Sequence, residues 1–194
     1  MLQIAVLISG GGSNLQCLID TMKDSGEKEF SICTVISDRE ASGLKRAEKA
    51  GIETHLVDRK IGRPKLSEEI NRILSGKADY IILAGFLSIL EESFIEQWMG
   101  KIINIHPSLL PDFGGKGMYG MHVHEAVIQA GAEVSGCTVH FVDKGIDTGE
   151  IINQMSISVD RSWDAVRLQK EVLKLEHKLL PQTVHLLCEK GINL

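Results

Sequence analysis

The sequence predicts one α/β domain, a Rossmann-like, mostly parallel sheet with helices on both faces. Three observations carry this. Apolar, strand-like runs alternate with helix-period segments about five times over residues 3–105, the pattern of a parallel sheet with crossover helices. Later, GCTVHFVD (136–143) and EIINQMSISV (150–159) are separated only by KGIDTG, too short for a helical crossover, so these two strands pair antiparallel. Finally, the 194 residues are 43% hydrophobic, enough to bury a sizeable core, with no linker, repeat or low-complexity tract. Residues 1–194 therefore read as a single domain.

The elements follow in order. QIAVLI (3–8) is the first strand, and SNLQCLIDTMKD (13–24) the helix after it. SICTVIS (31–37) precedes a helix at 41–51, where Gly51 is a stop signal. THLVD (54–58) is a short strand. PKLSEEINRILSG (64–76) opens on Pro and closes on Gly, as helices do. DYIILAG (79–85) is the strongest strand, EESFIEQWMG (91–100) a helix, and KIINI (101–105) the next strand. DFGGKGMYGM (112–121) is a loop with four glycines in ten residues, followed by the helix HVHEAVIQAG. A long helix covers 162–189, with its Leu stripe, Trp98 and Trp163 assigned to the core.

Bulk properties exclude several classes. The net charge is -5 and the pI near 5.8, so the basic footprint of a nucleic-acid binder is missing. No apolar run is long enough to span a bilayer. MLQIAVLISGGG lacks a basic n-region and reads as a strand rather than a signal peptide. Four cysteines without a CxxC pair point to free thiols in a reducing, cytoplasmic setting. Cys17 and Cys33 are expected to fill core space.

ISGGGSNLQ, between the first strand and first helix, occupies the place where α/β proteins bind phosphate on free backbone N–H groups and a positive helix end. It is not a dinucleotide loop, because Leu15 stands where the third Gly is required; Asp38, ending the second strand, is then no ribose-binding acid. It is not a Walker loop, because no Lys is near. Gly11 and Gly12 would let the backbone approach an anion, with Ser13 and Asn14 as added donors. The alternative is a turn whose glycines only admit tight strand–helix packing.

IINIHPSLLP (102–111) raises a second question, because Asn104 and His106 end a buried strand. Side chains two apart on a strand share a face, so amide and imidazole project together into whatever lies beyond. Asp147, in GIDTG, reads equally as a functional acid or an Asx-turn residue. His122 and His124 have no Cys or carboxylate partner at a recognised metal spacing, so no metal is expected. His140 reads as a strand residue near the site.

SGGGSNLQ (9–16), NIHPSLLP (104–111) and HFVDKGIDTGEII (140–152), with LAGFLSIL (83–90) and LEHKLLP (175–181), resemble the folate-dependent formyltransferases over nearly the whole chain. SGGGSNLQ narrows the resemblance to the branch acting on glycinamide ribonucleotide. The resemblance implies the formyltransferase fold and transfer of the formyl group of 10-formyltetrahydrofolate to the amine of glycinamide ribonucleotide, in de novo purine (IMP) biosynthesis. It implies catalytic roles for Asn104, His106 and Asp147, and substrate binding by Gly12, Ser13, Asn14 and Glu176. Folate contacts fall on Arg63, Leu87, Ser88, Ile89, Leu90, Asn104 and Asp143. It also implies a cis peptide before Pro111. The partners are these two small molecules alone, on a monomer or homodimer. One departure stands out: the family often reads Phe-Met-Arg-Ile-Leu where this chain has Phe86 to Leu90 with Ser88. The Gly-rich loop is also longer than in many relatives, and Lys116 is a candidate compensating charge.

Such a transfer needs donors at the oxyanion of the tetrahedral intermediate and a route for a proton from the amine to N10. Asn104 and protonated His106 would supply the donors, and Asp147 beside His106 would favour the imidazolium. Within the superfamily, enzymes acting on tRNA or on formyl-folate hydrolysis carry an extra domain that a 194-residue chain does not accommodate. A nicotinamide oxidoreductase is disfavoured by Leu15. The cleft is expected at the strand carboxyl ends, where loops 9–14 and 104–111 meet.

Overall fold

In the computed structural model, residues 1–26 and 28–190 are described. Strands β1 (Leu2–Ile8), β2 (Phe30–Ser37), β3 (Glu53–Leu56), β4 (Tyr80–Leu83), β5 (Ile102–His106), β6 (Val134–Phe141) and β7 (Ile151–Ser158) form one seven-stranded sheet in the order β3-β2-β1-β4-β5-β6-β7. The first five strands are parallel. β6 runs antiparallel to both β5 and β7, so the reversal begins one strand earlier than the KGIDTG loop alone reveals.

Helices α1 (Ser13–Asp24), α2 (Ser42–Lys49), α3 (Arg63–Leu74), α4 (Glu92–Gln97), α5 (Met121–Gln129) and α6 (Ala165–Lys190) cover both faces. The period-2 alternation of β1 divides the core. Ile4, Val6 and Ile8 pack with α1, α5 and α6, whereas Ala5 and Leu7 pack with α3 and α4. Trp98 is buried in the second cluster and Trp163 packs partly on the first. α6 begins three residues later than the pattern suggests, because the Asp164 carboxylate accepts the Arg167 N–H and sets the first turn. Cys17 and Cys33 are only partly covered, whereas Cys137 is fully buried. Cys33 lies where burial along β2 alternates, with one face of the strand open.

The chain winds outward from β1 to β3 and then crosses back to β4 and β5. The crevice at the carboxyl ends of β1 and β4 is thus a topological switch point, where open α/β sheets bind ligands.

Candidate active site

A cleft of about 1150 Å³ opens there, lined by Gly11–Asn14 after β1, Gly85–Leu90 after β4, Asn104–Pro107 at the end of β5, Gly115–Gly120, the β6–β7 loop and Glu176 of α6. Loops 9–14 and 104–111 meet as the sequence implies.

At the β1 end the backbone does the work. The first helical bond of α1 runs from Gln16 N–H to Gly12 O, so the amides of Ser13, Asn14 and Leu15 precede it and have no partner in the helix. Gly12 sits at φ 68°, and a Cβ there would come within 3.0 Å of the Gly43 Cα on α2. Gly12 is therefore a packing glycine, while Gly11 has nothing near its missing Cβ and faces the cleft. Gly12 thus serves strand–helix packing, and Gly11 leaves the backbone open to the cleft. Arg46 of α2 donates from Nε to the Gly11 carbonyl at 2.8 Å and braces the loop, a support that nothing local in the sequence announced.

Asn14 and Glu176, 162 positions apart, are joined by an Asn14 Nδ2 hydrogen bond to Glu176 Oε2 of 2.7 Å. Burial pushes the Glu176 carboxyl up to about 7, against the opposing pull of the Asn14 bond. The Asn14 Oδ1 atom is buried without a partner among the described residues, so one acceptor at this end is free.

At the β5 end side chains do the work. Asn104 and His140 are register partners across β5 and β6, and Asn104 Nδ2 lies 3.1 Å from His140 Nε2. The other ring nitrogen, His140 Nδ1, faces the Phe141 carbonyl at 2.8 Å. A carbonyl only accepts, so Nδ1 carries the hydrogen and Nε2 accepts from Asn104. Burial lowers the His140 pKa, which keeps that neutral form. The Asn104 amide is thereby oriented, with its Oδ1 unpartnered among the described residues.

His106 is 4% exposed. Its Nε2 lies 2.9 Å from the Phe113 carbonyl and its Nδ1 3.5 Å from Asp147 Oδ2. By the same logic Nε2–H donates to Phe113, and a proton on Nδ1 would face the carboxylate. Both His106 nitrogens thus have protein partners, unlike the open donor expected from the sequence. Asp147 adopts φ 58° and accepts the Gly115 N–H at 3.0 Å. It also lies 3.7 Å from His140 Nε2. It is at once a turn residue and the acid between two imidazoles.

A buried hydroxyl network holds this end. Thr138 Oγ1 donates to the Ser108 carbonyl at 2.6 Å and accepts from Leu110 N–H and Gln154 Nε2. Ser108 Oγ donates to Asp112 O at 2.6 Å. The Leu110–Pro111 peptide is cis. Thr138 shares a strand face with His140, which is the signal that could have found it. Gln154 carries none. His122 and His124 diverge: His122 is exposed and close to Glu125, while His124 is buried on the cleft side with Nδ1 unpartnered. Burial, with His106 nearby, pushes the His124 pKa down to about 4.

The remaining expected contacts line the same cleft. Arg63 donates from Nε and Nη2 to the Leu90 carbonyl and lies 3.2 Å from Glu91. Leu87 N–H donates to Ser9 Oγ, and Ser88 Oγ to Asp38. Leu87 and Ile89 expose apolar side chains at the rim. Asp143 accepts from Gly145 N–H and Thr148 Oγ1. Lys116 lies on the cleft wall.

The formyl transferase family profile matches residues 2–184. The chain belongs to the formyl transferase family. Among curated relatives, it is 40% identical over 196 residues to the human (Homo sapiens) trifunctional purine biosynthetic protein adenosine-3, covering 99% of this chain and 19% of that protein. It therefore spans about a fifth of the length of such trifunctional relatives. It is 34% identical to the chloroplastic phosphoribosylglycinamide formyltransferase of Arabidopsis thaliana, covering 98% of this chain and 67% of that one. Among solved structures, the phosphoribosylglycinamide formyltransferase of Anaplasma phagocytophilum superimposes with a TM-score of 0.87 at 39% identity, over 100% of this chain and 90% of that chain. The family's fold is the one described here.

Proposed function

We propose that this protein is a phosphoribosylglycinamide formyltransferase: it moves the formyl group of 10-formyltetrahydrofolate to the amine of glycinamide ribonucleotide, in one formyltransferase domain over residues 1–194. The observation that carries this is the pairing, across one cleft, of the Gly11–Asn14 and Glu176 end with the Asn104, His106 and Asp147 end. The first has the free amides of a phosphate site. The second has an oriented amide beside an acid-flanked imidazole.

In this reading the ribonucleotide phosphate lies on the Gly12–Asn14 amides, with Glu176 and Asn14 Oδ1 accepting from its sugar hydroxyls. The folate lies against Arg63, Leu87–Leu90 and Asp143. The amine attacks the formyl carbon, and the C=O pair moves onto oxygen, where the second Asn104 N–H donates. Asp147 takes the proton from the attacking nitrogen and passes it to N10 as the C–N10 bond breaks. A proton on His106 Nδ1, facing Asp147, would place positive charge beside the oxyanion. No covalent enzyme intermediate is needed.

The protein is a cytoplasmic enzyme in this reading, consistent with its unpaired cysteines; no helix among the described residues is long and apolar enough to cross a membrane. The test is direct. Protein, glycinamide ribonucleotide and a 10-formyl folate are mixed and the folate absorbance followed. A ribonucleotide-dependent change supports the assignment, and its absence with both substrates saturating removes it.

A further inference from the structure

Ser88 is the departure noted above from the formyltransferase pattern, yet the cleft beside it is not short of guanidinium: Arg39, Arg59 and Arg63 line it. Ser88 Oγ donates to Asp38 Oδ2 at 2.5 Å. Asp38 is fully buried at the end of β2 and takes both Nε and Nη2 of Arg39 at 2.9 Å. Burial works against its charge, but hydrogen bonds from Arg39, Ser88 and Ser9 outweigh that and hold the carboxyl below its usual range. Asp38 is thus a fixed anion that aligns Arg39 edge-on along the cleft wall. The third guanidinium nitrogen, Arg39 Nη1, has no partner among the described residues.

The Asp38 backbone anchors a second arginine. Arg59 N–H donates to Asp38 O at 2.9 Å, and the Arg59 side chain lines the cleft with no acid or carbonyl on its guanidinium among the described residues. Nearby acids are otherwise engaged. Glu91 lies 3.2 Å from Arg63, and Asp58 accepts the Lys60 N–H and is balanced by the Lys60 Nζ 4.0 Å away. Against Asp38 and Glu91, the three arginines leave this mouth with one uncompensated positive charge.

We propose that Arg39 and Arg59, anchored together on Asp38, bind the carboxylates of the folate's glutamyl tail and serve in place of a guanidinium at position 88. The proposal rests on the formyl-transfer function above. Ser88 is part of the 87–90 segment assigned to the folate, and its bond to Asp38 puts Arg39 beside that ligand. A carboxylate matches the exposed edge of a guanidinium, and a γ-linked chain of glutamates offers one to each arginine. The residues become specificity determinants for the tail, with the chemistry left to Asn104, His106 and Asp147.

The experiment compares three 10-formyl co-substrates: a pteroate without glutamate, a monoglutamate and a γ-linked triglutamate. KM is measured for wild type, Arg59→Gln and Arg39→Gln. Arg59→Gln removes no side-chain contact and preserves the fold. It should raise KM for the glutamates roughly two- to fivefold, the scale of a solvent-facing charge pair, most for the triglutamate. Wild type and variant should share one KM for the pteroate. Arg39→Gln should do the same, with melting followed because Asp38 loses a partner; Ser88→Arg added to Arg59→Gln should restore tail affinity. A glutamate KM that Arg59→Gln leaves unchanged, an equal rise with the pteroate, or a rise in ribonucleotide KM in its place would overturn the proposal. Wild type without any formyl transfer overturns the function instead; tail dependence is then read by fluorescence titration of the same three folates, with the same deciding outcomes.

Discussion

The two ends of the cleft lie on either side of β4 and are built on opposite rules. At the end of β1, the proposed recognition site is backbone: a left-handed Gly12, an open Gly11 and the free amides of α1. At the end of β5, the backbone is extended strand and the proposed chemistry is assigned to covered side chains that fix one another, Asn104 by His140 and His106 by Phe113 and Asp147. The difference teaches where each end is vulnerable. The first fails when atoms are added, the second when a hydrogen bond is lost.

The largest expected effect is at the side-chain end. Asp147→Asn keeps a residue that tolerates φ 58° while removing the charge, and should lower kcat about 10²- to 10⁴-fold with both KM values nearly intact. Steady-state kinetics at saturating substrates measure it, and full turnover would reduce Asp147 to a turn residue.

Next comes the backbone end. Gly12→Val meets the Gly43 Cα and an unfavourable φ, so it should cost about 2–4 kcal/mol of stability, seen as a fall in the urea midpoint. A midpoint like wild type would mean the α1–α2 contact is looser than described.

Titration separates the ends again. Glu176, raised to about 7, binds more protons folded than unfolded between its ordinary value and 7, so its contribution to stability falls as pH rises through that window. His124, lowered to about 4, does the reverse: its contribution is complete above its ordinary value and is lost as pH falls toward 4. Each amounts to at most about 3.5 kcal/mol, at roughly 1.4 kcal/mol per unit. Relative to wild type, Glu176→Gln should become less stable as pH falls from 7 to 5, and His124→Gln as pH rises over the same range. Parallel denaturation curves at all pH values would sink both assignments.

The smallest effect is the sharpest. Gly11→Ala has room for its methyl group, so melting should hardly move, yet the anion's approach is obstructed and KM for the ribonucleotide should rise about tenfold, close to 1.4 kcal/mol. Folate KM should stay put; a common rise in both would show that the ends are not independent.

Much of this was legible in the sequence because periodicity and turn chemistry are local. Both runs ending at the cleft, QIAVLI and KIINI, and the glycines after the first, mark its two ends unaided. Glu176 needed the family resemblance, because a helical register says which face is buried but not which strand end it meets. Gln154 and the Arg46 brace were silent for the same reason: each is a polar residue whose partner is chosen by the tertiary fold. His106 was legible in place and misread in detail, since the sequence does not show that the Phe113 carbonyl folds back onto its ring.

The Asn14–Glu176 bond also sets a timetable. Its partners are separated by 162 residues, so on a ribosome adding roughly 5–20 residues per second the loop after β1 precedes its acid by on the order of 10–30 s. Until α6 docks, Asn14 Nδ2 lacks its carboxylate partner and this end of the cleft stays incomplete. In refolding followed by pulsed hydrogen exchange, the hydrogen-bonded amides of α1 from Gln16 onward should gain protection with α6, later than the strands of the parallel sheet.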